Sequence, residues 1–176
     1  MLARLLLCVC SVMIISACKK SAPAIAFTAT IDNYNYTFDS LFAWIDTSVA
    51  YNNINQVSIG ALDTKTHNSI NFGGLTSPAS SITGTYFYLN PLPNPLPSSY
   101  KYFEAVNMYF TTGVSIGRFS IAGPNTSNFV ITNKTSTNLQ GNYSFSLNPE
   151  LTNGLPDISK TIYITGEFNI PYKIVP

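Results

Sequence analysis

Two stretches near the carboxy terminus alternate with a period of two. Leu139, Gly141, Tyr143, Phe145 and Leu147 are separated by Gln140, Asn142, Ser144 and Ser146. Ile162, Ile164, Gly166, Phe168 and Ile170 are separated by Tyr163, Thr165, Glu167 and Asn169. Successive side chains of a strand point to opposite faces, so each stretch reads as a strand with one face in a core and the other in water. A helix would instead place apolar residues three and four apart, and no window of the chain carries a convincing stripe of that kind.

The same spacing recurs along the chain. Phe27 to Ile31 and Tyr34 to Phe38 flank Asp32-Asn33, a two-residue turn that suits a hairpin. Further strands are expected at 41–45, 56–62, 68–72, 83–89, 114–121 and 128–132, with Gly73-Gly74 read as a turn. Nine or ten short strands predict an all-β fold, an antiparallel β-sandwich of immunoglobulin-like or jelly-roll-like form, with a partly closed barrel beside it. Composition agrees: 10% of residues are charged, against a usual quarter or so, and 13% are aromatic. Asn90 to Pro97 repeats one tetrapeptide twice, and its prolines cannot donate to a ladder, so it reads as an extended connector.

The amino terminus obeys different rules. Met1 to Arg4 gives a short basic start, and Leu5 to Ile15 is an apolar run too short to span a bilayer. Ile15, Ser16, Ala17 and Cys18 follow, then Lys19 and Lys20. This ending resembles the lipobox of bacterial lipoprotein leaders. The resemblance implies that Ile15, Ser16 and Ala17 are recognised by the signal peptidase, that Cys18 is acylated, and that cleavage makes Cys18 the new amino terminus. Two or more acyl chains hold a protein stably on a membrane, whereas one does not. The expected organisation is a leader at 1–17, a lipidated cysteine and tether at 18–25, and one domain at 26–176. Cys8 and Cys10 leave with the leader, so the mature chain has no second thiol for a disulfide. Lys19 after the cysteine is not the Asp of inner-membrane retention, so the outer membrane is the expected location, on either its periplasmic or its surface face.

Three carboxy-terminal segments carry a wider likeness. Gly117-Arg-Phe-Ser-Ile121, Leu139-Gln-Gly-Asn-Tyr-Ser-Phe-Ser146 and Ile162-Tyr-Ile-Thr-Gly-Glu-Phe-Asn-Ile170 resemble a group of uncharacterised Bacteroidetes lipoproteins, and Phe27-Thr-Ala-Thr-Ile31 matches the same layout. That resemblance implies a β-rich lipoprotein of the cell envelope and transfers no catalytic residue. Asp39-Ser40-Leu41 also matches the short acceptor pattern for O-glycosylation in those bacteria, which makes Ser40 a candidate site.

No catalytic constellation is visible. His67 is the sole histidine and lies in a polar, turn-like stretch; once Cys18 is acylated no thiol nucleophile remains. A metal site is therefore not expected, nor is a cofactor. Nine basic residues face eight acidic ones without a basic stripe, so nucleic acid is not an expected partner. Glycoside hydrolysis needs only two facing carboxylates, which spacing alone does not exclude. The expected role is a non-enzymatic envelope module with the membrane as one partner and an envelope protein as another. The alternative is glycan binding, in which Tyr86, Tyr88, Tyr100, Tyr102 and Tyr109 stack on sugar rings. Trp44, the single tryptophan, is expected in the core.

Overall fold

A computed structural model describes residues 24–47, 54–77, 80–88, 101–103, 106–110, 119–121, 127–149, 153 and 155–176. Among these there is no helix, and the all-β expectation is borne out. The strands are β1 (Ala26–Ile31), β2 (Tyr34–Thr37), β3 (Ser40–Asp46), β4 (Asn55–Leu62), β5 (Ser69–Thr76), β6 (Gly84–Tyr88), β7 (Lys101–Phe103), β8 (Val106–Tyr109), β9 (Phe119–Ile121), β10 (Asn128–Lys134), β11 (Asn138–Pro149), β12 (Ile162–Pro171) and β13 (Lys173–Val175).

Where the sequence predicts a two-sheet antiparallel sandwich of nine or ten strands, hydrogen bonding draws one curled, mixed sheet with thirteen described strands. Its order is β13-β3-β4-β5-β7-β6-β10-β11-β12-β1-β2, with β8 on β5 and β9 on β11. Two pairings are parallel, β6 with β7 and β13 with β3. A parallel pair needs a crossover of about a dozen residues. The 89–100 segment, which holds the proline repeat and lies outside the described residues, has that length. The other parallel pair arises because β12 runs on through Tyr172 into β13, which leaves the β11 side and lies beside β3. The sheet is thus a half-barrel whose two flanks are bridged by the last strand of the chain.

The hairpin read from Asp32-Asn33 is present. Both residues have positive φ, 48° and 71°, as the tight I′ turn requires, and Ile31 pairs with Tyr34 across it. The turn expected at Gly73-Gly74 is absent, because β5 runs straight through both glycines. The physical reason is packing: a Cβ on Gly74 would meet the rings of Tyr86 and Phe129, which stack on each other at 4.4 Å and 6°.

Inside the curl the core is aromatic, and its hub is Phe72. Phe72 meets Phe129, Tyr143 and Phe145, each at 5.1 Å, Phe168 at 6.2 Å and Phe27 at 6.3 Å. These partners come from β10, β11, β12 and β1, on the opposite flank of the sheet from β5. Edge and tilted ring contacts of this kind add to the area burial that dominates core energetics. The two alternating stretches supply much of it: Leu139, Tyr143, Phe145 and Leu147 on β11, and Ile164, Phe168 and Ile170 on β12, are all buried.

Candidate functional site

The first surface able to hold a ligand starts with the sequence Leu41-Phe-Ala-Trp-Ile45. Alternation puts Ala43 and Ile45 into the core, which forces Phe42 and Trp44 outward. On the outside the two rings stack at 5.6 Å and 17°. Phe42 pairs with Gly60 of β4, and its ring lies where a Gly60 side chain would stand. Trp44, expected in the core, is instead 37% exposed. Its strand already fills its inward positions with smaller residues, so parity decides against it.

Moving across the sheet, Gly60 pairs with Asn71 of β5 and Asn71 with Asn107 of β8; one step along, Leu62 pairs with Ser69 and Ser69 with Tyr109. Phe42, Leu62, Ser69, Asn71, Asn107 and Tyr109 line a groove of about 480 Å³. A smaller hollow of about 230 Å³ adjoins it, sharing Asn71 and Asn107 and adding Gln56, Ser58 and Gly73. Neither lining contains an ionisable acid or base other than the tyrosine phenol. The Ser58 hydroxyl lies 3.5 Å from Asn71 Oδ1, and the Asn107 amide has no side-chain partner among the described residues. Tyr109 is 39% exposed.

A second groove of about 430 Å³ lies on the outer side of β10, β11, β12 and β1. Thr28, Thr132, Gln140, Asn142, Glu167 and Asn169 give it a polar lining. Asn169 is already engaged: its Nδ2 donates to Ala24 O at 2.9 Å, and its Oδ1 accepts from Asn138 Nδ2 at 3.0 Å. Asn169 therefore positions the chain at Ala24, just before it enters β1.

The structure disperses the predicted tyrosines. Tyr86 is fully buried, its hydroxyl donating to Ile82 O at 2.8 Å, and burial pushes its phenol well above the ordinary range. Tyr102 is also buried, and Tyr88 is half-buried against Phe103 at 5.7 Å. Tyr100 lies outside the described residues. Tyr86 and Tyr102 have no ring face for a sugar, and among the described residues Tyr109 is the exposed one of the five predicted tyrosines, on the same groove as Phe42. Ile15, Ser16, Ala17 and Cys18 also lie outside the described residues. Ser40 is exposed at the start of β3, as an acceptor site must be.

Among the described residues no three His, Cys, Asp or Glu side chains come together to hold a metal. His67 is exposed, with φ of 61°, in a turn organised by Asp63. Asp63 accepts from the Thr66 hydroxyl at 2.6 Å and the Lys65 N–H at 2.9 Å. Asp39 accepts from the Thr64 hydroxyl at 2.6 Å and the Thr64 N–H at 2.9 Å. Hydrogen bonds to the charged form hold both carboxyls below their ordinary value. Asp63 builds its own turn, whereas Asp39, between β2 and β3, ties its loop to the β4–β5 turn through Thr64.

No family model matches the chain, and searches of curated proteins and of solved structures found no match.

Proposed function

We infer that this chain is a lipid-anchored, non-enzymatic module of the bacterial cell envelope, held in the outer membrane through acylated Cys18 and acting by binding rather than by chemistry. The observation that carries the anchor is Ile15-Ser16-Ala17-Cys18 at the end of an apolar run, with Cys18 the last cysteine of the chain. The tether from Cys18 to Ala24 reaches at most about 21 Å when fully extended, so the domain stays close to the lipid surface. Support for binding over catalysis comes from the outer groove: rings, amides and hydroxyls line it, and no carboxylate or imidazole does.

The test is lipid labelling in a bacterial host. Wild-type protein should incorporate labelled acyl chains and sediment with outer membranes. Cys18→Ser should accumulate as an unlabelled, uncleaved precursor. A labelled Cys18→Ser product of mature size, or an unlabelled wild type, overturns the anchor.

A further inference from the structure

Three features of the outer face of β3, β4, β5 and β8 converge on one ligand chemistry. The first is a pair of aromatic walls. Phe42 and its stacking partner Trp44 stand on β3, and Tyr109 stands on β8. Because the Phe42 ring leans over Gly60 of β4, only β5 lies between it and the strand of Tyr109, a separation of roughly 10 Å at about 4.8 Å per strand.

The second is the floor. Asn71 and Asn107 are direct cross-strand partners, with Ser69 beside Tyr109 one step along. Gly60 sits under the Phe42 ring and has no side chain to push it up, so the ring lies down over β4 beside Asn71. The third is charge: no ammonium, guanidinium, carboxylate or imidazole lines the groove itself, and Lys173 stands outside it, on the far side of Trp44. A charged ligand would lose hydration there and gain no counter-charge. A purely apolar one would cover the Asn71 and Asn107 amides without satisfying them.

We propose that this face binds an uncharged glycan. A pyranose offers both surfaces that the groove requires, a patch of C–H groups for a ring wall and a rim of hydroxyls for amides. One sugar lies against Phe42 and Trp44, another against Tyr109, and their hydroxyls exchange hydrogen bonds with Asn71, Asn107 and Ser69. The proposal rests on the binding-module reading above and names the ligand class and the face.

Trp44 is the only tryptophan, so its emission reports on this face alone. The full-length lipoprotein, held in a sugar-free zwitterionic detergent, is titrated with laminarin, xyloglucan and dextran, with heparin as the charged control. At least one uncharged polysaccharide should shift Trp44 emission saturably, and heparin should not. Asn107→Ala and Tyr109→Ala, both exposed positions, should each weaken that binding about tenfold while leaving the far-ultraviolet circular dichroism unchanged. Silence from all three uncharged polysaccharides overturns the proposal, as does a response to heparin alone, or binding that both variants leave intact. Loss of the lipid label would sink the anchor without touching this titration, so the two readings fail separately.

Discussion

Tyr143 and Gly166 face each other directly across β11 and β12, and the tyrosine ring occupies the space that a side chain on Gly166 would need. Two residues along each strand the roles reverse, with Phe168 lying over Gly141. Each glycine gives the opposite ring room to lie flat inside the curl. The Tyr143 hydroxyl reaches past Gly166 to donate to Thr28 O at 2.7 Å, which ties β11 to β1 across the intervening strand.

Gly166→Ala should therefore destabilise the domain by about 2–3 kcal/mol, the cost of overpacking a close contact. Urea denaturation should show a lower midpoint at unchanged slope. A midpoint within error of the wild type would mean that Tyr143 does not lie over Gly166.

Phe72 is the ring on which both flanks of the half-barrel meet. Phe72→Ala removes five ring contacts at once and leaves a cavity, so a loss of about 3–5 kcal/mol is expected. Phe72→Leu keeps more of the volume and should lose clearly less. Equal losses in the two variants would refute the hub.

Acid should weaken the domain through its turns. The Thr64 hydroxyl and N–H hold Asp39 ionised, and the Thr66 hydroxyl and Lys65 N–H hold Asp63 ionised, so both carboxyls titrate lower in the folded state than in the unfolded chain. Groups shifted downward stabilise above the ordinary carboxyl value of about 4 and lose that contribution as pH falls through the lower, folded value. The urea midpoint should be level from about pH 7 to pH 5 and fall below about pH 4. The Asp39→Asn, Asp63→Asn double variant should fall less steeply. An equally steep fall in the double variant would assign the acid sensitivity elsewhere.

Removing β13 tests the bridge between the flanks. Deleting Lys173 to Pro176 strips the partner from Trp44, Ile45 and Asp46 and breaks the bond from the Thr47 N–H to Val175 O at 3.0 Å. At about 1 kcal/mol for each backbone bond, the expected loss is about 2 kcal/mol. Trp44 emission should also move to the red, because Lys173 lies beside Trp44 in register. A truncated chain with wild-type stability and emission would show that the bridge contributes nothing.

What the sequence discloses and what it hides follow from the range of each signal. Period two is local, so β11, β12 and the Asp32-Asn33 hairpin are legible residue by residue. Leu41 to Ile45 is apolar on both parities, so the pattern marks a strand without saying which side is inside, and Trp44 emerges on the outer face. Gly73-Gly74 reads as a turn because glycine punctuates loops, yet Gly74 makes room for Tyr86 and Phe129, which arrive from β6 and β10. The groove depends on register between β3, β4, β5 and β8, and the alternation of Val106 and Met108 with Asn107 and Tyr109 is too short to announce β8 as a strand. Asn71 and Asn107 become neighbours only through that register.

The handover from β12 to β13 sets an order of events. β1, the first strand made, pairs with β12, and β3 pairs with β13. A chain that emerges amino terminus first, from a ribosome or through a pore, can pair β1 with β2 and β3 with β4 early, but holds the other edge of β1 and of β3 open until β12 and β13 are out. Completion is then all at once and late, since these pairings span almost the whole chain and must wait for its slowest-arriving piece. A domain built this way stays threadable while its strands are being threaded, and becomes rigid only once β12 and β13 have followed.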